Sequence, residues 1–139
     1  MCVFCDIVRA ELTAEIVYED DSCLAFLDIR PLFPGHCLVI PRAHHETLGD
    51  LPTAEIEPLF AAVRVLSQAV PAAVDAEGSF LAMNNRVSQS VPHLHVHVVP
   101  RRRKDGLRGF FWPRHSYRDA AHIKEVADAI RAAVPEVTR

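Results

Sequence analysis

No stretch of this 139-residue chain approaches the roughly 20 consecutive apolar residues that a membrane-crossing helix needs. No membrane partner is therefore expected. The start, MCVFCDIVRAEL, lacks a basic opening followed by a long apolar run, so a secretion signal is not expected either. Basic charge is not in excess: 15 Lys and Arg face 18 Asp and Glu, a net charge of −3 with eight histidines neutral. No global basic field draws such a chain to nucleic acid, so no such partner is expected. Internal repeats, low-complexity segments and linkers are absent, which excludes a repeat array. Cysteine is limited to four residues, and nothing else in the sequence reads as extracellular. What is present is ordinary globular usage, half hydrophobic and 24% charged. Residues 1–139 are expected to form one cytoplasmic domain.

Periodicity supplies the elements. Val3 to Ala10 has a short helical pattern. Ile16-Val17-Tyr18 and Cys23 to Leu27 read as a hairpin around the polar turn Glu19-Asp20-Asp21. His36 to Ile40 is a nearly continuous apolar strand stopped by Pro41. Ile56, Leu59, Phe60, Val63, Leu66 and Val70 recur at spacings of three and four, predicting a helix over 53–70 with Thr53 as N-cap. Phe80 to Met83 and Val91 to Val99 are further strands, and Asp119 to Val134 is a helix with Ile123, Val126, Ala127 and Ile130 inward. Cys23 and Cys37 read as small buried hydrophobes. Five strands and two main helices with short connections predict an α+β fold built on an antiparallel sheet.

The segment Val91-Pro92-His93-Leu94-His95-Val96-His97-Val98-Val99-Pro100 carries the chemistry. In an extended strand alternate side chains share a face, placing three imidazoles on one side and Leu94, Val96 and Val98 on the other. A structural strand has no use for three adjacent imidazoles, which bury poorly without partners. Two chemistries fit the row: metal binding by neutral imidazoles, or attack by one histidine on phosphorus with its neighbours stabilising the oxygens. A single ion shared by all three is disfavoured, because alternate residues of a strand stand about 6.5–7 Å apart. Gln89, Ser90, Asn84 and Asn85 supply polar groups immediately upstream.

Four blocks in order resemble the histidine triad (HIT) family of nucleotide hydrolases and transferases. They are Cys2-Val3-Phe4-Cys5-Asp6-Ile7, the segment from Ala25 to Pro31, the segment from Pro34 to His44, and Gln89 to Arg101. The resemblance implies a HIT-like α+β fold, a five-stranded antiparallel sheet that pairs with a twin into a homodimer. Phe60, Val63 and Leu66 would face that twin. It implies His95 as the nucleophile attacking an α-phosphate, with His93 orienting it and His97 and Ser90 holding phosphate oxygens. Asp28 would bind the ribose, with Phe26, Leu27 and Ile29 along the base and Asn84 and Gln89 beside the phosphates. Cys2, Cys5, His44 and His93 fall where zinc-containing relatives place ligands, implying a closed structural zinc site. No organic cofactor is implied, since phosphoryl oxygens need fixed donors rather than redox chemistry.

The activity so implied is hydrolysis of a nucleoside phosphoanhydride or phosphoramidate, such as a dinucleoside polyphosphate, through a nucleotidyl-histidine. A non-catalytic nucleotide-binding dimer or scaffold of the same fold is the alternative. Two departures stand out. The loop Arg86-Val87-Ser88 lacks the glycines many relatives carry there, and residues 101–118 form a basic and aromatic segment. That segment is expected to lie near the active site, with Arg108 and Trp112 contacting substrate.

Overall fold

Two turns set the order of the sheet. At the first, the Asp20 carboxylate accepts the backbone N–H groups of Ser22 and Cys23 at 2.8 and 2.7 Å, reversing the chain between β1 (Ile16–Glu19) and β2 (Cys23–Leu27). At the second, Gly35 has φ 101°, and a Cβ there would meet Val74 Cγ1 at 3.1 Å, so only glycine is unstrained before β3 (Cys37–Pro41). In this computed structural model, which describes residues 1–108 and 114–137, β4 (Gly78–Ala82) and β5 (Val96–Arg101) complete a five-stranded sheet of order β1-β2-β3-β5-β4. Every neighbouring pair is antiparallel.

The sheet has two different faces. One carries Cys23, Ala25, Cys37, Val39, Leu94, Val96 and Val98, which pack on α2 (Thr53–Ala73) through Leu59, Ala62, Val63, Leu66 and Val70. The other carries Leu24, Phe26, Leu38 and Ile40, which pack on Phe4 and Ile7 of α1 (Val3–Val8). Cys23 and Cys37 are buried as expected, and burial pushes both thiols up to about 11, so neither is a reactive thiolate.

Several boundaries differ from the sequence reading. Pro52, not Thr53, occupies the N-cap of α2, its carbonyl accepting the Glu55 N–H at 2.8 Å. The helix also continues past Val70 through Pro71, a residue whose missing N–H costs one bond in the last turn. Of the residues expected to meet a twin, Val63 and Leu66 are consumed by this chain's own core, while Phe60 is 42% exposed together with Ile56 on the outer side. Most informative, β5 begins only at Val96, because Pro92 cannot donate to a ladder and the His93 N–H turns back to the Val91 carbonyl.

The described residues fall into two compact units, 1–105 and 106–139. The second contains α3 (Ala120–Val137), opened by the Asp119 carboxylate accepting the His122 N–H at 2.7 Å. On it Ile123 and Ile130, expected inward, are 51% and 60% exposed. Among the described residues no helix is long and apolar enough to cross a membrane.

Candidate functional site

The face of the sheet opposite α2 holds a cavity of about 410 Å³. Phe26, Leu27, Asp28 and Ile29 from the end of β2 form one side, and Ser90, His95 and His97 form another. Val3, Phe4, Ile7 and the residues that follow α1 close it. Seven of the positions singled out in the sequence are thus brought to one cavity from two separate segments. The Asp28 carboxylate is fixed there because Oδ1 accepts the Arg30 N–H at 2.8 Å while its own N–H donates to the His36 carbonyl.

The alternation of the histidine row survives although the strand starts late. Leu94, Val96 and Val98 point into the α2 core, and the imidazoles lie on the other face. Each ring has a different task, set by which nitrogen is committed. His93 is fully buried and donates from Nε2 to the Pro41 carbonyl at 2.8 Å, which leaves the Nδ1 lone pair toward Cys2 and Cys5. His95 donates from Nδ1 to the His93 carbonyl at 2.7 Å, and its Nε2 has no hydrogen-bonding partner among the described residues. A neutral imidazole so held presents a lone pair at Nε2, as an attacking nucleophile requires. Phe4 packs on this ring at 5.2 Å, the two planes at 89°.

His97 is governed by a residue the sequence reading missed. The Leu32 N–H donates to Nδ1 of His36 at 3.1 Å, so the His36 proton sits on Nε2. That nitrogen lies 2.9 Å from Nδ1 of His97 and donates to it, which puts the His97 proton on Nε2. The chain Leu32–His36–His97 therefore fixes His97 as a neutral donor. Burial, then the neighbouring His95 and His36, lower His97 to about 4, and burial lowers His36 as well, so both are neutral near pH 7. Asp28, His36 and His97 also cluster closely enough to suggest a metal site. Moving the His36 proton to Nδ1 to clear Nε2 for a metal would set two N–H groups against each other at Leu32, so the cluster reads as a hydrogen-bond relay. The one local signal for His36 was a histidine following Pro34-Gly35 at the head of an apolar run.

Cys2, Cys5, His44 and His93 form a second cluster, their ligand atoms all within 4.8 Å of one another. Tetrahedral zinc, with sulfur at about 2.3 Å and nitrogen at about 2.0–2.1 Å, separates sulfur from nitrogen by about 3.5 Å. The separations here are 3.3 Å for Cys5 Sγ to His44 Nδ1 and 3.6 Å from each thiol to His93 Nδ1. The Pro41 carbonyl, by holding His93 Nε2–H, supplies the outer hydrogen bond that orients such a ligand. Donor types, spacing and outer partner all fit a zinc-class ion.

Asn84 and Gln89 make hydrogen bonds within the chain. Asn84 donates from its amide to the Ser88 carbonyl at 3.1 Å. Gln89 donates to the Glu46 carbonyl at 2.6 Å and accepts the Arg86 N–H at 2.8 Å. Both brace the loop that delivers Ser90, in which Arg86 and Ser88 hold φ of 72° and 59° without being glycine. The amides do there what glycines would otherwise do, holding a left-handed backbone in place. Arg101, Arg102 and Arg103 are paired with Asp105, the Val74 carbonyl and Glu77. They lie at the far end of β5 from the site: His97 stands near the strand's start, and Arg101, its last residue, is paired with Gly78. Arg108 belongs to the second unit, and Trp112 lies outside the described residues.

Comparison with known proteins agrees with this geometry. The HIT domain family model matches residues 9–104. The adenylylsulfatase HINT3 of Arabidopsis thaliana is 37% identical over 119 residues, 84% of this chain and 58% of that protein, so the chain spans little more than half of that relative. A HIT family protein from Bacillus subtilis superposes with a TM-score of 0.85 at 32% identity, over 94% of this chain and 95% of that one. A zinc-bound histidine triad family protein from Mycobacterium smegmatis does so with a TM-score of 0.73 at 35% identity, over 92% and 96%. With the triad on one face of a β1-β2-β3-β5-β4 sheet and these relatives along most of its length, the chain belongs to the HIT domain family.

Proposed function

We propose that this chain hydrolyses a nucleotide at its α-phosphate, acting on a nucleoside phosphoanhydride or phosphoramidate through a covalent intermediate on His95. The observation that carries the reading is the commitment of His95 Nδ1 to the His93 carbonyl, which leaves Nε2 as a lone pair on the cavity wall. Nε2 attacks phosphorus, and the bond from phosphorus to the leaving oxygen or nitrogen breaks, its electron pair departing with the leaving group, which takes up a proton from solvent where it leaves as an amine. Water then attacks the same phosphorus, the phosphorus–nitrogen bond breaks, and His95 is regenerated. Splitting the reaction in this way replaces one difficult displacement with two easier ones.

The neutral His97, its proton on Nε2, donates to a phosphate oxygen together with Ser90, stabilising charge that grows at the phosphorus centre. Asp28 is placed to accept from ribose hydroxyls, and Phe26, Leu27 and Ile29 offer an apolar bed for a base of any kind. Similarity to an adenylylsulfatase supports a substrate that pairs a nucleoside phosphate with a good leaving group. Cys2, Cys5, His44 and His93 would hold a zinc ion, which would supply a structural crosslink between the N-terminal segment and the histidine row, while the imidazoles and Ser90 act on the phosphate. The reading includes a cytoplasmic homodimer, for which Phe60, with Ile56 and Val65, is among the exposed apolar residues of α2.

The deciding experiment is intact-mass detection of a nucleotidyl adduct after rapid mixing with a panel of nucleoside phosphoramidates, adenylylsulfate and dinucleoside polyphosphates. An adduct that vanishes in His95→Ala is expected. Nucleotide binding with neither adduct nor turnover across the panel selects the non-catalytic nucleotide-binding reading instead.

A further inference from the structure

The N-terminal segment has a peculiar attachment. Its helix, α1, is six residues long, too short to be stable alone. The backbone hydrogen bonds of the turns around it stay within the segment: Asp6 to Cys2, Arg9 to Cys5, Ala10 to Ile7, and Glu11 and Leu12 to Asp6. The first backbone tie to the sheet comes only where the Leu27 N–H reaches the Glu15 carbonyl. Everything before that is held by side chains, by Phe4 and Ile7 against Leu24, Phe26, Leu38 and Ile40, and by the Cys2–Cys5–His44–His93 cluster.

Yet this loosely tied segment is a large part of the cavity. Val3, Phe4, Ile7, Leu12, Thr13 and Ala14 all line it. Phe4 stands next in sequence to Cys5 and touches three rings: Phe26 at 5.3 Å, His93 at 6.0 Å and the nucleophile His95 at 5.2 Å. His93 joins the two systems a second time, since its ring faces the thiols while its carbonyl orients His95.

We propose that Phe4 is a positioning residue that couples the cysteine–histidine cluster to the nucleotide pocket, so that an ion in the cluster fastens the pocket wall and raises nucleotide affinity. This rests on the nucleotide reading above and names what holds that pocket in shape. Without the crosslink the wall has only its apolar contacts, and part of the binding energy of a nucleotide goes into ordering residues 3–14. With it, that ordering is already done. Coupling of this kind is reciprocal: whatever factor the ion adds to nucleotide affinity, the nucleotide adds to ion affinity.

The test uses the full chain, zinc ion and AMP. Calorimetry is expected to show AMP bound about tenfold tighter by zinc-loaded than by metal-free protein, within the roughly 5- to 150-fold span of such couplings. Chelator competition is expected to show the same factor for zinc with and without AMP. In Phe4→Ala, which keeps all four ligands, zinc still binds but both factors fall toward one. Equal AMP affinity in loaded and metal-free protein overturns the proposal, as does Phe4→Ala retaining the full factor. Hydrogen exchange separates this inference from the nucleotide reading. Metal removal is expected to speed exchange at residues 3–14 while β2, β3 and β5 stay protected. Exchange that is unchanged there, or that rises equally through the sheet, shows that the cluster does not fasten the wall in particular. Absence of AMP binding to the loaded protein overturns the nucleotide reading, while the exchange result still decides what the cluster holds.

Discussion

The two faces of the sheet are made by the same strands and solve opposite problems. On the α2 face every buried side chain of β2, β3 and β5 is apolar, and Leu59, Ala62, Val63, Leu66 and Val70 seal it against solvent. On the α1 face His36, His93 and His95 are as deeply buried as many core residues, at 4%, 0% and 3% exposure. The first face gains stability from area alone, with no directional requirement. The second tolerates imidazoles because backbone groups meet their nitrogens, and among the described residues no buried side-chain nitrogen or oxygen lacks a partner. Burial that is non-directional yields stability, and burial that is directional yields chosen tautomers. The two faces should therefore fail in different ways when changed.

The sharpest contrast comes from His95→Ala. Turnover of any substrate that forms the adduct should fall at least about 10³-fold, with melting temperature and AMP affinity close to wild type. A mutant that keeps wild-type turnover would remove the covalent mechanism. On the other face Leu59→Ala should cost about 2–5 kcal/mol in urea unfolding, since Leu59 is fully buried, while kcat and KM of the folded fraction stay unchanged. A kinetic defect in that variant would mean the two faces are not separable.

Acid should distinguish the faces next. Burial lowers His97 from 6.5 to about 4, with the charges of His95 and His36 adding to the effect. Between those values the unfolded chain takes up a proton that the folded chain refuses. Stability present above pH 6.5 is therefore lost as pH falls toward 4, by up to about 3 kcal/mol from this one residue. Urea midpoints measured from pH 7 to pH 4 should show the decline, and His97→Gln should flatten it; parallel slopes in the two proteins would refute the assignment. The smallest effect expected is that of His36→Phe, which keeps a ring in place and removes both hydrogen bonds. With His97 no longer held in one tautomer, kcat should fall about 10- to 100-fold with little change in KM. Nitrogen NMR of the His97 ring should show mixed protonation in place of a single Nε2–H form.

Most of the scaffold was legible because its signals are local. Alternation in Leu94-His95-Val96-His97-Val98 specifies two faces whatever the partner strands are, and it held even though Pro92 delays pairing until Val96. The spacing of Leu59, Val63, Leu66 and Val70 likewise marks the buried side of α2. Phe60 and Ile56 satisfy the same spacing and are half exposed, because periodicity identifies a stripe but not the width of the surface that covers it. The hydrogen bonds of Asn84 and Gln89 to the Ser88 and Glu46 carbonyls were not legible. An amide beside a phosphate loop looks the same in sequence whether it meets a ligand or braces a left-handed turn.

By itself, then, the sequence determined the strand and helix order, the segregation of imidazoles from aliphatic side chains, and, through four short blocks, the family. Each of these depends on residues within a few positions of one another, where backbone geometry alone fixes which side chains share a face. Only the tertiary structure decided which nitrogen of His93 and of His97 carries its proton, and which four side chains meet in the cysteine–histidine cluster. Those outcomes rest on His36 meeting His97 across 61 residues, on Pro41 meeting His93 across 52, and on two thiols reaching His44 and His93 from the far N-terminus. The first two are set by the pairing of β3 with β5 and the third by the packing of α1 on the sheet, and no local pattern encodes them.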